Sequence, residues 1–392
     1  MTSSPNLGQV LREAIKEGAL APLRLSPHQW KTLRALAACR TGALGGQLFR
    51  CADCRREHFV AHSCRNRHCP QCQGALAVEW LEKQEKMLLP IPYFHLVFTL
   101  PHVLNGVIRQ NRRALFKLLF EAVSQTLLEF GAGRLKAQIG ITAVLHTWSQ
   151  TLLDHYHLHC IVTGGGVALA RARWVSSPAY YLFPVRALSR MFRGKFLAGL
   201  TALHDGGELE FHGQLESLAM AGKFASLLRE AAHPQWVVYA KRPFAGPKQV
   251  LAYLSRYSHR VAMSNRRLIS QEGGSVTFAY KDYADDARPK TMRLAREEFV
   301  RRFCLHVLPE RFVKIRHYGL LGNRKRHERL ARARELLGST AQPSEERTPT
   351  PAQPKPERQA TGCPFCHRPS LVFLREVKPA RAGWSPVRLD SS

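Results

Sequence analysis

Two Cys-x-x-Cys pairs, Cys51/Cys54 and Cys69/Cys72, stand fourteen residues apart near the start of the chain. Two thiolate pairs on tight turns can close a tetrahedral site, the geometry that Zn²⁺ accepts. A module this small cannot bury enough apolar surface alone, so the metal would supply its folding free energy. Cys64 and His68 lie between the pairs as alternative ligands. Four sulfurs leave no open position for water, which makes the expected site structural and not catalytic. Arg55, Arg56, Arg65 and Arg67 crowd the same loops, so the finger is expected to dock on DNA through Arg65 and Arg67 among others. A last pair, Cys363-Pro-Phe-Cys366, is half a site with no second pair in the tail.

Charge narrows the partner. The 392 residues carry 58 Lys and Arg against 29 Asp and Glu, a formal net charge of +29. Such an excess repels itself unless a polyanion compensates, so nucleic acid is the first partner to consider and an anionic membrane surface the second. No run approaches the ~18 apolar residues of a membrane span. Met1 to Gly18 reads as a short amphipathic helix without the apolar core of a signal peptide. An intracellular chain is expected, with its ten cysteines as metal ligands or buried thiols.

Pattern divides the chain into three expected segments: 1–90, helical and zinc-binding; 91–322, an α+β domain; and 323–392, a basic helix, a disordered linker and the Cys-pair tail. In the first, a helix is expected over Pro27–Ala38 from a Ser26 cap, and another over Ala75–Leu89, ended by Pro90-Ile91-Pro92. In the second, Phe94–Leu100, Ile139–Trp148, Leu152–Thr163, Trp236–Ala240 and Ser275–Tyr280 read as strands, with Gly164-Gly165-Gly166 closing the third. Helices are expected at Arg113–Phe130, Val185–Leu203 and Leu215–Ala232, and another opening at Pro247. Mixed order implies a largely antiparallel sheet flanked by helices. Arg324–Leu337 predicts a basic helix, and the Pro-, Thr-, Glu- and Gln-rich 339–362 a disordered linker.

Within the middle segment, His155, His157 and His159 alternate with Tyr156 and Leu158. Alternate residues of a strand share a face, so the three imidazoles point one way, and a divalent cation would satisfy them. Farther on, Tyr253 and Tyr257 are four residues apart, hence on one helical face, with Arg256 and Arg260 adjoining. A phenol of pKa near ~10 is a poor nucleophile at neutral pH unless cations assist it. Trp148, Tyr156 and Trp174 could stack on unpaired bases, although each also suits core packing.

Taken together, His157-Leu158-His159 followed by Cys-Ile-Val-Thr-Gly-Gly-Gly166, Tyr253-Leu-Ser-Arg-Tyr257-Ser-His-Arg-Val261, and the finger Ser63-Cys-Arg-Asn-Arg-His-Cys-Pro-Gln-Cys72 resemble the two-tyrosine HUH rolling-circle insertion-sequence transposases of bacteria, including the common-region type. Phe94-His-Leu-Val-Phe-Thr-Leu-Pro101 is similar to the family as well. The resemblance implies an HUH endonuclease core behind a small zinc-binding module. It implies that His157 and His159 bind Mg²⁺ or Mn²⁺, with His155 favoured over His259 as third ligand. One tyrosine would attack single-stranded DNA at the element ends or in the target, leaving a 5′-phosphotyrosine bond and a 3′-hydroxyl. No G-x-x-x-x-G-K-[ST] loop occurs, so a host helicase would unwind the donor. The expected location is the bacterial cytoplasm, at the nucleoid. A related replication initiator or relaxase shares this chemistry, and a zinc-finger regulator with structural histidines is the non-catalytic alternative.

Overall fold

The computed structural model describes residues 5–244, 249–250, 261–283, 285–338 and 362–379. The first third gives α1 (Leu7–Lys16), α2 (Pro27–Ala38), β1 (Gly46–Cys51), β2 (Glu57–Ala61) and α3 (Pro70–Glu85). The middle gives β3 (Tyr93–Thr99), α4 (Asn105–Gln110), α5 (Arg112–Phe130), β4 (Ala137–Trp148), β5 (Asp154–Ala168), β6 (Trp174–Ser176), α6 (Val185–Asp205), α7 (Ala221–Ala232) and β7 (Val238–Phe244). The rest gives β8 (Leu268–Glu272), β9 (Ser275–Asp282), β10 (Arg288–Ala295), α8 (Arg296–Cys304), β11 (Ile315–Gly319), α9 (Arg326–Leu336) and β12 (Leu371–Val377). The class is α+β.

Two compact units emerge, and neither is contiguous. The first takes residues 1–74, 263–301 and 341–392; the second takes 75–262 and 302–340. The expected boundaries at 90 and 322 therefore give way. The reason is strand pairing: β12, far along the chain, hydrogen-bonds antiparallel to β1, giving a three-stranded sheet of order β12-β1-β2. The second sheet of this unit, β10-β9-β8, packs Phe278 against Phe299 of α8 at 5.9 Å. Its neighbouring buried Arg296 pairs with Glu13 of α1 and with Glu17 at that helix's C-terminal cap.

Local sequence explains the helix starts here. Ser26 accepts from the Gln29 amide while the Gln29 side chain accepts from the Ser26 amide, with Pro27 in the first turn. Asn6 and Gln9 build the same reciprocal cap on α1. Each satisfies two N–H groups that a helix start leaves without partners. The helix expected from Ala75 instead begins at Pro70. Proline at a first helical position sacrifices only an N–H that has no intrahelical partner, so the helix starts inside the Cys69/Cys72 pair.

In the second unit, a sheet of order β11-β4-β5-β3-β7, with β6 pairing to β5, is antiparallel throughout. Alternation along three strands sorts two faces. Phe94, Leu96 and Phe98, Ile141, Ala143 and Leu145, and Tyr156, Leu158 and Cys160 are buried against α5 and α6, among Phe116, Phe120, Phe192 and Phe196. Burying such side chains is worth roughly 1.5–3 kcal/mol each. Tyr156 is a core residue here, 0% exposed and 5.6 Å from the Phe116 ring, and so not a stacking platform. The other face of the same strands carries the histidines.

Two further expectations change. Residues 215–232 are not one helix: a 3-10 turn over Gly213–Ala219 meets α7 at Met220, whose backbone is extended. The triple glycine does not close β5, which runs on to Ala168. A Cβ at Gly166 would lie 2.3 Å from the Gln138 carbonyl oxygen, so glycine is what lets β4 and β5 stay paired there. The linker expected over 339–362 falls, but for Gly362, outside the described residues.

Candidate metal centres

The four cysteines expected to share one site, Cys51, Cys54, Cys69 and Cys72, belong to two. One tetrad is Cys39, Cys64, Cys69 and Cys72; the other is Cys51, Cys54, Cys363 and Cys366. The hairpin is the cause. Cys51 and Cys54 lie at its turn, near the Arg50–Glu57 pair, whereas Cys64 follows its open end, near the Gly46–Ala61 pair. The first and last of the five pairs are about 13 Å apart, too far for one ion. Cys39, at the C-terminal cap of α2, fills the place left. Cys64, an alternative in the sequence reading, is a member, and His68 is not.

The first tetrad fits zinc. Its Cys39–Cys72, Cys39–Cys69 and Cys64–Cys72 sulfurs are 3.6, 3.6 and 3.7 Å apart. A tetrahedron with ~2.3 Å zinc–sulfur bonds has edges of about 3.8 Å. The Cys64 amide also donates to the Cys39 sulfur at 3.4 Å. Arg67 on the same loop is half-buried, and burial lowers the pKa of its guanidinium. Arg65, beside it, is exposed.

On the histidine face, β5 supplies His157 and His159 and β4 supplies His146, which lies opposite His157 in the register. Ring centroids are 4.5 Å apart for His146–His159, 4.9 Å for His157–His159 and 5.4 Å for His146–His157. One ring nitrogen from each lies within 4.8 Å of the others. The third member is thus His146, whereas His155 was expected. His155 directs Nδ1 toward His102 Nε2 at 3.4 Å instead. Burial and the neighbouring His102 lower its pKa.

Hydrogen bonds orient two of the rings. His157 Nδ1 donates to the His155 carbonyl at 2.8 Å, which puts its proton on Nδ1 and a lone pair on Nε2. His159 Nδ1 lies 2.9 Å from His95 Nε2 on β3, the two rings stacked with centroids 5.2 Å apart. Burial, helped by Lys241, pushes the His95 imidazole down to about 3, so it is neutral and can accept a proton's hydrogen bond from His159. Trp148 stacks on His146 at 4.7 Å. At the head of β5, buried Asp154 accepts from Arg109 Nε at 3.0 Å and Nη2 at 2.5 Å. Behind Trp148, Thr147 donates to His306 Nδ1 at 3.2 Å and His306 Nε2 donates to the Leu152 carbonyl at 3.0 Å. An imidazole held in one tautomer, as at His157, suits a divalent cation, and three protein ligands would leave positions for phosphate and water.

Tyr253, Tyr257, Arg256, Arg260 and His259 lie outside the described residues. Just ahead of them Val250, 0% exposed, joins a buried cluster with Tyr93, Ile161 and Leu321. Ile161 is two residues past His159 on the same face of β5. His146 and His95 were missed by the sequence reading. The signal for both is a histidine within an apolar alternating strand, which identifies a face only once the register is known.

Residues 10–100 match a family model described as a transposase zinc-binding domain, of the IS91 type, and residues 140–329 match one described as "Putative transposase". The chain is 43% identical over 379 residues, 95% of either chain, to the "Putative transposase y4qJ" of Sinorhizobium fredii. It is 26% identical over 326 residues to the transposase for insertion sequence element IS801 of Pseudomonas savastanoi pv. phaseolicola, covering 82% of this chain and 76% of that one. No solved structure matches. The zinc-binding span thus contains the first cysteine tetrad, which supports structural zinc there.

Proposed function

Because the chain belongs to the IS91 family of rolling-circle insertion-sequence transposases, we propose that it cuts and rejoins single DNA strands with Tyr253 and Tyr257 as nucleophiles. The phenol oxygen of one tyrosine attacks the scissile phosphorus. The bond from phosphorus to the 3′ oxygen breaks, that oxygen leaves as a hydroxyl with a proton, and the DNA remains joined through a 5′-phosphotyrosine link. One phosphodiester replaces another, so rejoining needs no nucleotide. The second tyrosine allows a second cut while the first end is held.

His146, His157 and His159 are the proposed ligands of a catalytic Mg²⁺ or Mn²⁺, with Mn²⁺ the better match to imidazole nitrogen. When bound, the cation polarises the phosphate under attack. His95 and the His155 carbonyl hold two of the rings in the tautomer that ligation requires. Arg256 and Arg260 are proposed to take flanking phosphates, and Arg65 and Arg67 to dock the zinc module on DNA. With no phosphate-binding loop in the sequence, a host helicase would open the donor duplex, at the nucleoid where the substrate is. None of the described helices is long and apolar enough to cross a membrane.

The observation that carries this reading is the convergence of three imidazoles from adjacent strands on the face that bears the HUH motif. The test is incubation of the purified chain with labelled single-stranded element ends and Mn²⁺. A covalent protein–DNA adduct is expected, abolished in Tyr253→Phe/Tyr257→Phe and by His146→Ala, and retained in His155→Ala. DNA retardation without an adduct under any metal would instead favour a non-catalytic DNA-binding role.

A further inference from the structure

The tail cysteines solve a problem left open by the first zinc site. The matched zinc-binding span ends at residue 100. Within it Cys51 and Cys54 are half of a coordination sphere, and no other cysteine of the span joins them. The missing half comes from Cys363 and Cys366, 309 and 315 residues away along the chain. We propose that Cys51, Cys54, Cys363 and Cys366 hold a second structural Zn²⁺, which fastens the tail strand β12 to the N-terminal hairpin.

Sulfur spacing is the first support. Cys51–Cys366 and Cys54–Cys363 are 3.5 and 3.6 Å apart. Those distances approach the ~3.8 Å edge of a tetrahedral zinc–thiolate centre and far exceed the ~2.05 Å of a disulfide. Backbone form is the second. The residue after each second cysteine is left-handed: Arg55 at φ 58° after Cys54, and His367 at φ 61° after Cys366. Arg65, after Cys64 of the first site, takes the same form at φ 49°. In both pairs the residue one past the second cysteine donates its amide to the carbonyl of the first, Arg55 to Cys51 at 3.0 Å and His367 to Cys363 at 2.8 Å. Two matching turns thus present their sulfurs to each other. Such turns cost strain in a non-glycine residue, which a bound metal would offset.

A hydroxyl beside the sulfurs and the sheet pairing agree. Ser370 Oγ lies 3.1 Å from Cys51 Sγ and can donate to a thiolate, and the Ala52 amide donates to the Ser370 carbonyl at 2.8 Å. From there β12 pairs with β1 from Leu371–Cys51 to Val377–Gly46. At the far end Gly45 has φ +77°, and a Cβ there would meet the Val377 carbonyl at 2.4 Å, so the hairpin is shaped to admit the tail. Arg56 stacks on the Phe365 ring at 5.1 Å beside the centre. The inference is independent of the tyrosine chemistry.

Zinc content and hydrogen exchange of the full chain test it. The wild type should carry two Zn²⁺ per chain. Cys363→Ser/Cys366→Ser and Cys51→Ser/Cys54→Ser should each carry one, the retained ion showing that the first site still folds. In both variants the amides of 371–377 should exchange at least about tenfold faster while those of β4 and β5 are unchanged. One zinc in the wild type, two in either variant, a Cys51–Cys366 or Cys54–Cys363 disulfide by mass, or unaltered protection of 371–377 would each overturn the proposal.

Discussion

Acidification should destabilise the second unit through a buried histidine outside the proposed site. His306 is 2% exposed, and both ring nitrogens are engaged as a neutral imidazole requires: Thr147 donates to one and the other donates to Leu152. Burial is the main reason its pKa falls to about 4 from an ordinary 6.5. The folded state therefore binds fewer protons than the unfolded chain in this range. Its stabilising effect is complete above pH 6.5 and is lost as pH falls toward 4. Between those limits the loss is about 1.4 kcal/mol per pH unit, hence about 2 kcal/mol from pH 6.5 to 5. His317, partly buried and lowered to about 4 by desolvation and by Arg326, adds a similar amount. The assay is urea unfolding of wild type and His306→Gln at pH 7 and pH 5; glutamine keeps a donor for the Leu152 carbonyl. Zinc loss at low pH affects both proteins and cancels in the difference. The stability gap between them should move by about 2 kcal/mol in favour of the variant on going to pH 5. Equal acid sensitivity of the two proteins would refute the reasoning.

Three other outcomes are expected. His95→Leu, suited to a buried strand position, should leave the fold intact and weaken Mn²⁺ binding about 10–100-fold by removing the partner of His159, read by titration calorimetry. Ser26→Ala should cost about 0.5–2 kcal/mol by removing the α2 cap, seen as a lower urea midpoint for the first unit. Binding of the cationic chain to single-stranded DNA should weaken by about 300-fold to 10⁴-fold between 50 and 200 mM salt if six to ten phosphates are contacted, read by fluorescence anisotropy.

What could be read from residues alone followed the range of the interaction. The α2 helix is local: Ser26, Pro27 and Gln29 define its start without help from elsewhere. The shared face of His157 and His159 needs only the two-residue period of a strand. Choosing His146 over His155 as the third imidazole needs the pairing of β4 with β5, including the register shift between His146 and Trp148. That pairing is a tertiary fact. The cysteines failed for the same reason: spacing suggested one tetrad, and a hairpin of five paired residues separated it into two. Closure by Cys363 and Cys366 is more remote still, since nothing near residue 363 points to residue 51. The triple glycine looked like a stop because glycine commonly ends strands, whereas here it admits neighbouring backbone at Gln138.

The most direct test of the central claim is to locate the DNA on the protein. The covalent complex formed with Mn²⁺ and single-stranded element ends would be digested and the nucleotide-bearing peptide sequenced by mass spectrometry. The account predicts a 5′-phosphate ester on Tyr253 or Tyr257, formed only when His146, His157 and His159 are intact. A nucleotide attached to any other side chain, or the same ester formed without those three imidazoles, would contradict it.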